Sequence, residues 1–242
     1  MPSKMHQDLK TCLAIIKDTA QYPLPVKEYL STVEVGCTLV FTDYSGHLLA
    51  SPSLGIYSPS QSSEDKALVC SLAYPRYFLQ AEDESGHKAF SKSTALEALG
   101  FLVPLLKDPA RFISTHTLVV TDNAAAVLIF KKGYSKGDSW ATTICRAARI
   151  VAAALCCKLE VKWERRRSSR ASRIADNLTH NLLEELDDSE IDAYLEGDSV
   201  TFPLPILQWM SDPKPDYSLG ARCIKWMVQT YPFFQQIQKS DC

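Results

Sequence analysis

Apolar residues at Leu9, Cys12, Ile15 and Ile16 recur at helical spacing and predict a leading helix over residues 5–20, closed off by Pro23 and Pro25. The pattern then changes period. Residues 36–43 form a β-branched and aromatic run that ends in an acid, Asp43, and Tyr44-Ser45-Gly46 supplies turn chemistry behind it. Weaker strands are expected at 54–58 and 74–80, with polar loops at 58–65 and 81–88. A helix is expected over 91–106, where Thr94-Ala95-Leu96-Glu97 has the form of a capping box and Pro104 and Pro109 mark the end. Residues 115–122 are a second apolar strand ending in an acid, Asp122, and a short helix over 123–132 is stopped by Gly133. A long Ala-rich amphipathic helix follows at 139–157, then a strand at 159–163 and a helix at 171–186. The remainder, 187–242, reads as helical and Pro-interrupted, with Trp209, Trp226, Tyr231, Phe233 and Phe234 available to pack.

Three strands followed by alternating helices and strands imply a mixed sheet with helices on its faces. The 242 residues suit one such domain with decoration: a helix and linker over 1–35, an α/β domain over 36–186 and a helical extension over 187–242. No apolar run reaches the roughly 18 residues that span a bilayer, and the start of the chain has no signal-peptide core. An intracellular location, cytoplasm or nucleus, without a membrane partner is therefore expected. The eight cysteines show no C-x-x-C pair and no matching Cys/His spacing, so reduced core thiols are expected over a metal site or bridges. The net charge of −2 conceals an asymmetry. Residues 145–173 hold nine bases against two acids, and residues 184–198 hold eight acids and no base.

Four acids stand out by context. Asp43 and Asp122 end apolar strands, from which a carboxylate projects at the carboxyl edge of a sheet, where ligand sites of open α/β sheets lie. Glu97 lies in the apolar stretch Ala95-Leu96-Glu97-Ala98-Leu99, and Asp176 follows Ile174-Ala175. Burying an unpaired carboxylate costs several kcal/mol, and four together repel unless cations neutralise them. Divalent metals supply that compensation, and a pair about 3.5–4 Å apart is a common engine of phosphodiester cleavage.

The segments Phe41-Thr42-Asp43-Tyr44-Ser45-Gly46, Thr94-Ala95-Leu96-Glu97-Ala98, Val120-Thr121-Asp122-Asn123 and Ile174-Ala175-Asp176-Asn177-Leu178-Thr179 resemble the four motifs of the ribonuclease H family, in family order. The resemblance covers about residues 36–186. Thr121-Asp122-Asn123, Lys132-Gly133, Arg166-Arg167-Ser168-Ser169 and Ala175-Asp176-Asn177-Leu178-Thr179 are most similar to the ribonuclease H domains of retroelement polyproteins of the tyrosine-recombinase, DIRS-like type. The resemblance implies an α/β fold, a ribonuclease H-like five-stranded mixed sheet with its first three strands antiparallel, flanked by helices, with extra helices at both ends. It implies an endonuclease that cuts the RNA strand of RNA–DNA hybrids with two Mg²⁺ ions, or Mn²⁺ in their place, held by Asp43, Glu97, Asp122 and Asp176. Ser45, Asn123, Arg165, Arg166 and Arg170 are then the candidates for substrate contact. The chain has no Tyr-x-Asp-Asp motif, so a reverse transcriptase would be a separate partner.

Three features keep other readings open. Cellular ribonucleases H carry a loop histidine about ten residues before the last aspartate, whereas this loop reads Trp163-Glu164-Arg165-Arg166-Arg167-Ser168-Ser169-Arg170. Its absence bears on turnover and leaves open a non-catalytic nucleic-acid- or protein-binding module of retroelement origin. Glu97 also has an alternative role in its own capping box. The arginines of 165–170 fit either phosphate contact beside the site or salt bridges to the acidic segment 184–198. Trp163 is expected in the core rather than as a base-stacking platform.

Overall fold

A computed structural model describes residues 37–46, 52–62, 65–83, 86–197 and 201–234; the helix expected over 5–20 lies outside them. Five strands form one sheet: β1 (Cys37–Ser45), β2 (Ser53–Ser58), β3 (Leu68–Ala73), β4 (His116–Thr121) and β5 (Lys158–Trp163). Their order is β3-β2-β1-β4-β5, antiparallel from β3 to β1 and parallel from β1 to β5. This is the five-stranded mixed sheet, flanked by helices, that the resemblance implies.

The third strand differs from its expected place. Residues 68–73 pair with β2, and Arg76–Gln80 is a short helix, α1. Pro75 explains the break, since it lacks an N–H for a ladder while its carbonyl accepts from the N–H groups of Phe78 and Leu79 to open a helical turn. Helix α2 (Ser93–Lys107) continues past Pro104 to Lys107. Helices α3 (Ala124–Lys132) and α4 (Ser139–Ala154) begin at Asn123 and Asp138, whose side chains accept from backbone N–H groups, and Gly133 ends α3 in the left-handed region at φ 76°. The single helix expected over 171–186 is divided. Helix α5 (Arg170–Leu178) stops at Thr179, left-handed residues at Asn181 and Glu185 turn the chain, and α6 (Asp188–Glu196) restarts from a capping box on Asp187.

The sheet separates two apolar layers. Val40, Leu54, Ile56 and Val119 face α2 and α4, whose buried side chains form the larger layer with α7 (Leu204–Ser211) and α8 (Leu219–Thr230). Phe41, Tyr57, Val69 and Val120 face Ile174, Ala175 and Leu178 of α5 in the smaller one. Segment 201–234 therefore belongs to the main core: Trp209 is 1% exposed and its ring meets those of Phe78 and Trp140. The cysteines among the described residues form no disulfide, and Cys70, Cys145, Cys157 and Cys223 are buried. Among the described residues no helix is long and apolar enough to cross a membrane.

Candidate metal centre

The β1–β4 ladder runs from Cys37↔His116 to Phe41↔Val120. Asp43 and Asp122 lie just past its end, at the carboxyl edge of the two parallel strands. Side chains alternate along β1, so Asp43 shares the face of Phe41 and points towards α5. Glu97 comes from α2 on the opposite face, and Asp176 from α5.

Two glycines set both helices at the required depth. A Cβ on Gly100 of α2 would stand 2.7 Å from the Thr42 side chain, and one on Gly55 of β2 would stand 2.1 Å from the carbonyl oxygen of Ala175. Gly55 is the register partner of Asp43, so close packing there lays Asp176 over the strand that carries Asp43. A hydrogen is the only substituent that permits either approach.

Asp43, Glu97 and Asp122 each offer a carboxylate oxygen within 4.8 Å of the others. Asp43 and Glu97 are buried, and Asp122 is half-buried. Glu97 is not its own helix cap, because α2 begins at Ser93 and places Thr94 inside the helix; its Oε1 accepts from Thr121 Oγ1 at 2.5 Å. Burial is the largest influence on this trio, with neighbouring acids adding to it. It raises Asp43 to about 8, Glu97 well above the usual carboxylate range, and Asp122 more modestly against the opposing pull of Arg166. Asp176 goes the other way. Burial opposes its ionisation, but a hydrogen bond with Asp43 and the charges of Arg166 and Arg167 outweigh it and hold the group below the usual range.

Arg166 lies among the acids. Its Nε donates to Asp176 Oδ1 at 2.8 Å, its Nη2 reaches Asp176 and, at 3.3 Å, Asp43 Oδ2, and its Nε is 3.9 Å from Asp122 Oδ2. Arg167, left-handed at φ 57°, turns its own guanidinium onto Asp176 Oδ2 at 3.3 Å.

The other candidate residues are spread along the same edge. Ser45 is buried at the end of β1, in register with Ser53. Asn123 caps α3 through Oδ1 and donates its N–H to Thr121 Oγ1. Arg165 is exposed and lines a cleft with Asp43, Asp122, Arg166 and Ser172. Arg170 reaches away from that cleft to Glu190, at 2.7 Å, and Arg173 pairs with Glu185 at 2.8 Å. Trp163, expected in the core, is 51% exposed at the end of an edge strand, and its indole N–H donates to the Asp122 carbonyl at 2.9 Å.

Thr121, Gly55 and Gly100 carry roles that the sequence reading did not assign. For Thr121 a signal was present: the residue beside Asp122 in an alternating strand must face the opposite layer, from which Glu97 arrives. The three carboxylate oxygens are donors of the kind that hold a hard divalent cation.

No protein-family model and no curated protein sequence matches the chain. Among solved structures the chain is similar to a ribonuclease H1 from the halophilic archaeon Halobacterium salinarum, at 12% identity and a TM-score of 0.40, over 62% of this chain and 100% of that one.

Proposed function

We propose that the protein is a metal-dependent endonuclease of the ribonuclease H type that cuts the RNA strand of RNA–DNA hybrids and derives from a retroelement. The observation that carries this reading is the convergence of Asp43, Glu97 and Asp122 at the carboxyl edge of the parallel strands, with Asp176 adjoining. When bound there, divalent ions would polarise the scissile phosphate and make water a nucleophile at neutral pH. The chain's own residues prepare for this. Asp43 and Asp122 present carboxylates from rigid strand ends, and Thr121 fixes the Glu97 oxygen. Arg165 and the Trp163 ring lie exposed beside the cleft, suited to backbone phosphate and to a stacked base or sugar. Asn123, next to Asp122, is the position for a substrate contact, of the kind that distinguishes RNA from DNA at the 2′-hydroxyl, whereas Ser45 is buried and closed to it. A reverse transcriptase would supply the hybrid.

A second reading, a non-catalytic module that binds nucleic acid or protein, draws on the contacts of Arg166 with Asp43 and Asp176, which partly neutralise the acids without a metal. Incubating the protein with an end-labelled hybrid in Mg²⁺ and in Mn²⁺, beside Asp43→Asn and Asp122→Asn, separates the two. Cleavage of the RNA strand by the parent and its loss in both variants, with hybrid binding retained, is the expected result. Tight hybrid binding without cleavage in either metal would establish the binding module instead.

A further inference from the structure

The four acids are not equivalent partners for a cation. Asp43, Glu97 and Asp122 each bring a carboxylate oxygen within 4.8 Å of the others, close enough to share one ion, whereas the Asp43–Asp176 side is already spanned by a guanidinium. Arg166 touches three of the four carboxylates, and two of its nitrogens lie on one oxygen of Asp176. Arg167 takes the other oxygen of Asp176, so both lone-pair faces of that carboxylate are engaged. An arginine cannot yield by losing a proton, so the positive charge stays wherever the side chain does. A divalent ion bound between Asp43 and Asp176 would meet a fixed like charge within a few ångströms. The obstacle is removable, because the Arg166 side chain is 52% exposed and has a path to solvent that requires no unfolding.

We propose that Arg166 is a built-in cation that holds the Asp43–Asp176 side of the centre, so that the resting protein loads one divalent ion, at Asp43, Glu97 and Asp122. A second ion enters only when the arginine swings out. This rests on the metal-centre reading above and adds to it a gate: nucleic-acid phosphate, competing for the guanidinium, is the chemistry suited to draw it away. Arg166 is then a positioning residue whose departure completes the site.

The experiment is a calorimetric titration of Mn²⁺ alone into the full metal-free chain, the Arg166→Ala variant and the Arg166→Lys variant, each checked by circular dichroism. The parent is expected to bind one Mn²⁺, with any second ion at least ten-fold weaker. Arg166→Ala is expected to bind two, the second tightened ten-fold or more, and to gain more in melting temperature from Mn²⁺ than the parent does. Arg166→Lys keeps the charge but cannot bridge several carboxylates at once, and is expected between the two. Adding Asp176→Asn to Arg166→Ala should abolish the second site and spare the first. Equal stoichiometry and affinity in parent and Arg166→Ala would overturn the gate and leave the metal centre standing. Weaker binding of the first ion in Arg166→Ala would overturn it too, by making the arginine a scaffold for the acids. Failure of all three proteins to bind Mn²⁺ would remove the metal centre itself, and the gate with it.

Discussion

Asp43 and Asp176 share a hydrogen bond but not a protonation state. Burial raises Asp43 from its ordinary 3.8 to about 8, while Arg166 and Arg167 keep Asp176 charged against its own burial. The folded metal-free protein thus holds a proton on Asp43 that the unfolded chain has lost above about pH 4. Its contribution to stability is fully present below the unfolded value and is lost as pH rises through about 8. Melting temperature in chelator should therefore fall between pH 5 and pH 9. Asp43→Asn, a neutral isostere, should flatten that fall and melt no earlier than the parent at pH 8. A parent curve that is level or rises with pH over this range would reject the assignment. Glu97 is raised for the same main reason, burial, and Thr121 is its sole hydrogen-bond donor among the described contacts. Thr121→Val should lower hybrid cleavage by about 10–100-fold, the usual cost of losing a group that orients a metal ligand. It should leave hybrid binding unchanged, and cleavage at the parent rate would show that Glu97 needs no such support.

At the scale of elements, the site depends on how closely two helices approach the sheet. Gly55→Ala sets a methyl against the Ala175 carbonyl, a backbone atom that cannot move aside, so α5 must lift. A loss of about 1–3 kcal/mol is expected, as for overpacking in general, read as an earlier denaturant midpoint with an unchanged slope. Gly100→Ala sets a methyl 2.7 Å from the Thr42 Cβ, which is fixed to the β1 backbone, so α2 must shift as well. Equal stability of parent and Gly55→Ala would mean that α5 does not press on β2. These contacts explain why the elements were easier to read than their meeting points. Local composition identified the strands of Asp43 and Asp122 as apolar runs ending in an acid, and cap spacing and prolines marked the helix of Glu97. Composition misassigned the third strand, where Leu68–Ala73 is a short apolar run without alternation and the Tyr and Phe of Arg76–Gln80 have high strand propensity. The outcome was decided by Pro75, a single backbone property. Likewise Thr94-Ala95-Leu96-Glu97 has the spacing of a capping box, and only packing turns Glu97 inward. A sequence shows that an acid lies among apolar residues; it does not show which other element lies opposite.

The whole molecule brings the two charged segments together and divides the arginines between them. Arg170 is committed to Glu190, a carboxylate that also accepts from Tyr57, and Arg173 to Glu185. Arg166 and Arg167 face the acids of the site, and Arg165 is exposed at the cleft. One basic run thus holds three roles, and substitutions should separate them. Arg170→Ala leaves Glu190, 6% exposed, without its cation, and should cost about 1–2 kcal/mol. That is below the loss for a fully buried pair, since the Arg170 side chain is 47% exposed and water screens it. A fall in melting temperature of a few degrees is expected, with the salt dependence of hybrid binding unaltered. Arg165→Ala should do the reverse. Its stability should stay within about 0.5 kcal/mol of the parent, as for an ordinary surface substitution, and hybrid binding should weaken irrespective of sequence. The slope of log K against log salt should drop by about 0.7–0.9, the signature of one lost phosphate contact. Melting curves and binding isotherms at several salt concentrations, on the same preparations, provide both readouts. If Arg170→Ala flattens the salt slope while melting normally, the Glu190 pair is not what holds that side chain in solution. If Arg165→Ala leaves the slope unchanged, the hybrid does not approach the centre along the β5 edge.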